Sequence, residues 1–175
     1  MLEVRSPFWR APAGVEGKPS IAHYICLFCY VFMFLIINTA EKDKTTLVIF
    51  EVKNFLFFLI SKYSFKRGYH QTEKLLPVID KLFKKNKKSL NDLKGIAVIT
   101  GPGPFTALRV GITIANAMAF ALEIPIIGIK AEEFKNTKEL IELSFNKFKK
   151  IKSKKIIVPF YGKELNITTK QMDKI

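Results

Sequence analysis

One stretch of the chain, residues 95–128, constrains the fold more than any other. It opens with an apolar run at 96–99, breaks at a turn rich in glycine and proline, continues as a helix over 105–122 and ends in an apolar run at 124–129. Apolar runs of this length are typical of buried strands, and a helix between two such strands favours a parallel pair with the helix packed across it. The order therefore predicts a βαβ unit.

The turn before the helix consists of Gly101, Pro102, Gly103 and Pro104. Glycines permit close backbone approach, while prolines fix φ and remove N–H donors, so we predict a stiff, sharply bent structural loop that continues into Phe105 and Thr106. Thr106 is the expected cap of the helix. A glycine turn before a helix is also typical of phosphate binding. However, the pattern matches neither a Walker loop nor GxGxxG, which favours the structural interpretation.

The helix carries small residues at a spacing of four, namely Ala107, Gly111, Ala115 and Ala119. Such a stripe lets another helix or a sheet approach closely.

The run GPGPFTALRVGITIANAMAFALEIPIIGI resembles the Gly-Pro-Gly-Ser-Phe-Thr-Gly-Leu-Arg signature of the TsaB (YeaZ) family, which continues into a helix and an Ile-Pro-x-x-Gly strand. With gaps, the resemblance extends from Met33 to about Glu133. It implies an α/β fold in which helices flank a mixed β-sheet, the RNase H-like lobe of the actin/Hsp70/sugar-kinase superfamily. The residues after Gly128 are too few for a complete second lobe, so we expect that lobe to be truncated.

The same resemblance implies a role in making threonylcarbamoyl-adenosine beside the anticodon of tRNA. In that pathway TsaB is a non-catalytic partner of the ATP-dependent TsaD subunit, and TsaE is a further ATPase. We expect a TsaB-like N-terminal lobe at 33–130 and a reduced C-terminal portion at 131–175. Residues 1–32 are expected to be a disordered or artefactual extension.

The resemblance further implies that two helices, the one predicted at 72–86 and the glycine-turn helix, pair with TsaD. The residues expected at that interface are Leu76, Ile79, Phe83, Arg109, Gly111, Ala115 and Ala119. The alternative is that these side chains fill the chain's own core. On the interface hypothesis, Gly111→Leu blocks the complex and leaves a folded chain.

Residues that could carry out catalysis are few. Where the superfamily has an Asp that helps hold a nucleotide-bound metal, this chain has Asn38, and a neutral amide binds hard cations less well. A turn-forming Asn is the favoured interpretation, and His70 is interpreted as a loop histidine rather than a catalytic residue. We find no nucleophile with its base, no paired carboxylates and no metal-ligand cluster, so we predict no catalytic residue, metal or cofactor. Nucleotide-binding residues remain unknown. The alternative is an enzyme of the same superfamily, either an ATP-using protein or an M22-type peptidase.

The net charge of +14 suits nucleic acid or an acidic partner, although an AT-rich genome also yields many lysines. Contact with tRNA is therefore expected to be indirect or weak, and the lysine-rich segment 147–155 is either a solvated helix end or an RNA-backbone patch.

Cys26 and Cys29 are interpreted as reduced thiols of a cytoplasmic protein. The apolar run 21–37 is interpreted as an upstream segment fused to a first strand, with a membrane anchor as the alternative. A homodimer is a further assembly that the sequence leaves open.

The remaining elements follow from period and turn residues. We predict a meander of strands at 34–39, 45–53 and 55–63 with Asn54 in its second turn, a helix over 72–86 capped by Thr72, and a helix over 131–150. Further strands are predicted at 156–160 and 165–169.

Overall fold

The computed structural model describes residues 31–54, 56–66, 71–151 and 156–161, where five strands form one sheet. The strands are β1 Phe32–Asn38, β2 Lys44–Lys53, β3 Leu56–Lys66, β4 Leu93–Gly101 and β5 Ile126–Lys130. The helices are α1 Gln71–Lys85, α2 Phe105–Ala121 and α3 Thr137–Lys150, and short 3₁₀ turns occupy Leu90–Asp92 and Ala131–Glu133.

The strand order in the sheet is β3-β2-β1-β4-β5. β1, β2 and β3 form an antiparallel meander, whereas β4 is parallel to β1 and β5 is parallel to β4. The predicted βαβ unit is therefore confirmed as β4-α2-β5. The mixed sheet flanked by helices, in the RNase H-like strand order, is the fold that the resemblance implied.

Both faces of the sheet are covered, as the uninterrupted apolar sequence of β1 predicts. Leu35 and Ile37 belong to the core on the α1 and α2 side, whereas Phe34 and Ile36 belong to the core on the α3 side. Phe34 stacks on Phe148 of α3 with ring centroids 4.8 Å apart. The three-layer arrangement places α1 and α2 together on one face and α3 on the other.

The helix starts differ from the predictions in three places. Thr106 does not cap α2, because Pro104 is the N-cap in an extended conformation (φ −60°, ψ 125°) without a side-chain hydrogen bond. Thr72 lies inside α1, which begins at Gln71. The helix predicted over 131–150 is divided, because the Asn136 side chain accepts a hydrogen bond from the Glu139 N–H at 2.9 Å and α3 starts only at Thr137.

The segment 156–160 is not a strand, contrary to the prediction. The Asn116 side chain of α2 forms hydrogen bonds with both backbone groups of Ile157. It donates to the carbonyl at 2.8 Å and accepts from the N–H at 3.0 Å. The Phe160 N–H donates to the Thr100 carbonyl at 2.8 Å. A side-chain amide thus satisfies backbone groups that a neighbouring strand would otherwise pair. The strand predicted at 165–169 lies outside the described residues.

Candidate functional site

The turn after β1 is built around Asn38. Its Oδ1 accepts a hydrogen bond from the Ala40 N–H at 3.0 Å, and its Nδ2 donates to Glu41 Oε1 at 3.1 Å. Glu41 also accepts from Thr46 Oγ1 at 3.0 Å and pairs with Lys44 at 3.2 Å. Both polar atoms of the Asn38 amide therefore hold the turn, which confirms the interpretation as a turn-forming residue.

The glycine loop is filled by the chain's own backbone. Gly101 has φ +129°, and a Cβ placed on it would lie 2.1 Å from the Phe160 carbonyl oxygen. A Cβ on Gly103 would lie 2.5 Å from the Ala40 carbonyl oxygen. The two glycines thus allow close approach to neighbouring main chain, which supports a structural loop over a phosphate cradle.

A cavity of about 470 Å³ adjoins the Asn38 turn and the start of α3. Its lining includes Glu41, Lys44, Lys62 and Lys135. Lys62 Nζ donates to Thr137 Oγ1 at 2.8 Å, and the Glu41 carboxylate is held by its contacts within the turn. Within the described ranges, no group of three or more His, Cys, Asp or Glu side chains is placed to hold a metal ion.

The expected interface residues fall into two sets. Ile79, Phe83, Gly111, Ala115 and Ala119 are buried by the chain itself. For these five the burial supports the alternative, a role in the chain's own core. A Cβ on Gly111 would lie 2.4 Å from Thr39 Oγ1, a distance that argues against a folded Gly111→Leu chain. Only Leu76, at 48% exposure, and Arg109 are at the surface.

The solvent side of the helix pair presents a second stripe on α2, one that the sequence reasoning missed. Its exposed positions recur at helical spacing: Thr106, Arg109, Thr113, Ala117 and Phe120. The helix-pair face is defined here as this stripe together with Leu76 of α1. Phe120 is 86% exposed, the largest exposure among the described large apolar side chains. The sequence position of Phe120 could have indicated this exposure. Phe120 follows Ala119, the last residue of the small-residue stripe, and one step along a helix turns the side chain away from the sheet.

At one end of the helix-pair face, Arg109 is held by two aromatic side chains. Its Cζ lies 3.8 Å from the Phe105 ring centroid, and its Nε donates to the Tyr161 hydroxyl at 3.0 Å. Phe105 and Tyr161 stack with centroids 4.7 Å apart. The guanidinium is thereby kept in place at the surface, where it can bind a carboxylate.

Glu133, in the turn after β5, is a carboxyl whose pKa is shifted by its surroundings. Burial by itself would raise the pKa of this carboxyl. The Lys147 hydrogen bond, the Lys130 N–H and the charges of both lysines together outweigh that effect, and the pKa is lowered. The Lys147–Glu133 pair is 2.6 Å long and joins the turn after β5 to α3, so its role is structural.

Several candidate residues fall outside the described part of the chain, namely Cys26, Cys29, His70 and the lysines at 152–155. None of the described helices is both long enough and apolar enough to span a bilayer.

The comparisons with known proteins agree with the glycine-loop signature. Residues 68–144 match the model of the family TsaD: tRNA N6-adenosine threonylcarbamoyltransferase. The tRNA threonylcarbamoyladenosine biosynthesis protein TsaB of Buchnera aphidicola subsp. Schizaphis graminum is 37% identical over 92 residues, covering 53% of this chain and 40% of that protein. TsaB of Escherichia coli K12 is 38% identical over 58 residues, covering 33% of this chain and 25% of that protein.

A tRNA N6-adenosine threonylcarbamoyltransferase, from Syntrophotalea carbinolica, is 42% identical over 57 residues, covering 33% of this chain and 17% of that protein. Among solved structures, YeaZ from Pseudomonas aeruginosa is 21% identical with a TM-score of 0.48, covering 57% of this chain and 44% of that one. The chain spans 40% or less of the length of these curated relatives. The sequence matches confirm the resemblance to the TsaB (YeaZ) family that the glycine-loop signature predicted.

Proposed function

We propose that this chain is a TsaB-like, non-catalytic subunit that binds a TsaD-like protein and supports threonylcarbamoyl-adenosine modification of tRNA. The observation that carries the proposal is the helix-pair face, because Leu76 and Phe120 are large apolar side chains that the chain leaves 48% and 86% exposed. Aromatic side chains and arginines are typical of the residues that dominate protein interfaces. Both helices of this face lie within the matched segment 68–144.

The interface proposed here differs from the one expected from the sequence. Leu76 and Arg109 remain in it, and Phe120 is added. Ile79, Phe83, Gly111, Ala115 and Ala119 act indirectly, because their packing fixes the positions of α1 and α2. On this proposal the chain works in the cytoplasm with a TsaE-like ATPase as a further component, and its contact with tRNA is indirect or weak.

The alternative, an ATP-binding enzyme or M22-type peptidase, has less support. Asn38 uses both polar atoms of its amide within the turn, and the glycine loop is filled by the main chain of Ala40 and Phe160. Micromolar binding of ATP by the isolated chain, measured by calorimetry, would overturn the non-catalytic assignment.

Docking is tested by titrating the chain with the TsaD-like protein of the same source in a calorimeter. We expect Phe120→Glu and Leu76→Glu each to weaken binding by roughly tenfold or more, because each places a carboxylate in an apolar contact. Asn146→Glu is the matched control, since it adds the same charge at an exposed position of α3 on the opposite side of the sheet. The control should bind like the unchanged chain.

Two results contradict the proposal. Absence of any complex with the TsaD-like protein removes the partner assignment. An unchanged affinity in both Phe120→Glu and Leu76→Glu removes the helix-pair face while leaving the partner. The competing assembly is a homodimer, which sedimentation of the chain alone would detect. Its mass would rise with concentration in the unchanged chain and would be that of a monomer in Phe120→Glu.

A further inference from the structure

The edge strand β3 is the longest strand of the sheet, with 11 residues. Among the described strands it pairs only with β2, so its other side presents main-chain N–H and C=O groups without a neighbouring strand. Such an edge is a template for a further strand.

Its first half is apolar and exposed on both faces of the sheet. Leu56 is 62% exposed, Phe58 47% and Leu59 52%. Leu56 and Phe58 lie opposite Lys53 and Glu51 of β2, whereas Phe57 and Leu59 lie opposite the core residues Val52 and Phe50. Phe57 contacts Phe145 of α3 with ring centroids 5.4 Å apart and is still 37% exposed. We call residues 56–59 the edge patch.

Protection against strand addition is confined to the second half of β3. The register between β2 and β3 shifts at Ile60 of β3, because Ile49 pairs with Ser61 and Phe50 pairs with Leu59. Beyond this shift β3 carries Lys62 and Lys66. Bulges and lysines are the usual means of blocking an exposed edge. The edge patch itself contains no charge, bulge or proline that would block the addition of a strand. This absence of protection indicates that another segment binds there.

Charge decides between kinds of occupant. Lys53 and Lys62 are exposed beside the edge patch, while the nearby Glu51 carboxylate is neutralised by Lys88. A second copy of the chain would bring a further net charge of +14 against the first. Like charges across a strand pair are destabilising, whereas glutamates or aspartates there would be attracted.

We propose that the edge patch binds an extended, acidic segment of another protein, which adds a strand beside β3. Its apolar side chains cover Leu56–Leu59 on both faces of the sheet, and its carboxylates lie near Lys53 and Lys62. Main-chain hydrogen bonds supply affinity and the side-chain pattern supplies selectivity. This surface is separate from the helix-pair face and does not depend on the proposed function.

The probe is a fluorescent peptide in which four consecutive valines, whose side chains reach both faces of the sheet, are flanked by glutamates; it is titrated into the full chain and followed by anisotropy. We expect binding that weakens as salt is raised, and a double variant, Leu56→Lys with Leu59→Lys, that loses roughly tenfold or more in affinity. Val158→Lys is the matched control, since Val158 is 70% exposed on the segment beside β4, away from the β3 edge. Binding to this control should stay within about twofold of the unchanged chain.

Hydrogen exchange distinguishes strand addition from loose charge attraction. Bound peptide should slow exchange of amides in residues 56–66, and a peptide with proline replacing every second valine should neither bind nor protect. The proposal is overturned if the acidic peptide fails to bind, if a valine–lysine peptide binds as well, or if exchange in β3 is unchanged. A dimer of the chain that the double variant abolishes would assign the edge to a second copy instead.

Discussion

Gly111 shows how the chain's own core sets the identity of a single residue. It lies within α2, where glycine ordinarily weakens a helix by about 1 kcal/mol relative to alanine. A Cβ there would meet Oγ1 of Thr39 at 2.4 Å and its Cγ2 at 2.7 Å. Thr39 is fully buried and β-branched, so it cannot rotate freely out of the way. The steric overlap of an alanine Cβ with Thr39 therefore costs more free energy than the higher helix propensity of alanine contributes.

We predict that Gly111→Ala lowers the free energy of unfolding by about 1–3 kcal/mol, the range typical of an overpacked core. Urea denaturation provides the measurement. Adding Thr39→Ala removes the overlapping atoms, so the double variant should be more stable than the sum of the two single changes indicates. Additive effects would show that the helix shifts to make room and that the contact is not limiting.

Asn38 gives a second prediction at the same scale, because its amide donates to a carboxylate. Asn38→Asp replaces the hydrogen bond to Glu41 with two facing carboxylates, so the pKa of at least one of them rises in the folded state. At pH 7 we expect a loss of about 1–3 kcal/mol in unfolding free energy.

The sign of the pH dependence follows from that raised pKa. Folded chain binds the extra proton more readily than unfolded chain, so the deficit of Asn38→Asp should shrink as pH falls towards 4 and grow as it rises. Urea denaturation at both pH values measures it, with Asn38→Ala as the uncharged control. A deficit that does not depend on pH would place the cost in the turn geometry instead of the charges.

At the scale of elements, α3 is tied to the sheet by a charged pair as well as by its apolar side. Lys147 of α3 bonds to Glu133 in the turn after β5, while Phe148 packs in the core beneath. The pKa of Glu133 is lowered from its ordinary value of 4.5. A lowered pKa means that the folded chain holds this carboxyl in its charged form, so the pair contributes stability above the unfolded pKa.

We predict that Glu133→Gln has a lower free energy of unfolding than the unchanged chain at pH 7, because it loses this contribution. The difference between the two chains should vanish as pH falls below the ordinary pKa of 4.5 and through the lowered pKa of the folded state. Thermal unfolding across the acid range measures the difference. Glu142→Gln is the matched control, since it removes a charge from α3 and leaves the Glu133–Lys147 pair in place. Stability curves of Glu133→Gln and the unchanged chain that coincide over the whole range would show that the pair contributes nothing.

For the whole molecule, the three-layer arrangement separates the two proposed surfaces. The helix-pair face lies on the α1 and α2 side, while the edge patch lies at the β3 end of the strand order. A defect at one should therefore leave the other intact, so the two binding experiments report independently. A general loss of packing would instead weaken both and would appear in the denaturation curves.

Much of the fold was predictable from local signals in the sequence. The order of strands and helices followed from apolar period, and Asn54 was predicted in the turn where it adopts φ +52°. Ser89 forms a capping box with Asp92 three residues on, in the pattern typical of a helix start. These features depend on residues within a few positions of each other, whose side chains and backbone settle the conformation before distant parts of the chain pack.

The sequence by itself determined the βαβ unit, the meander and the family resemblance, because each is written in period, turn residues and a contiguous signature. The tertiary structure alone decided which side of α2 faces solvent, that Asn116 takes the backbone of Ile157, and that Ala40 and Phe160 fill the glycine loop. Each of these contacts involves residues that are far apart in the chain. The neighbouring sequence does not indicate whether a small or apolar side chain will be buried by the chain's own core or by a partner.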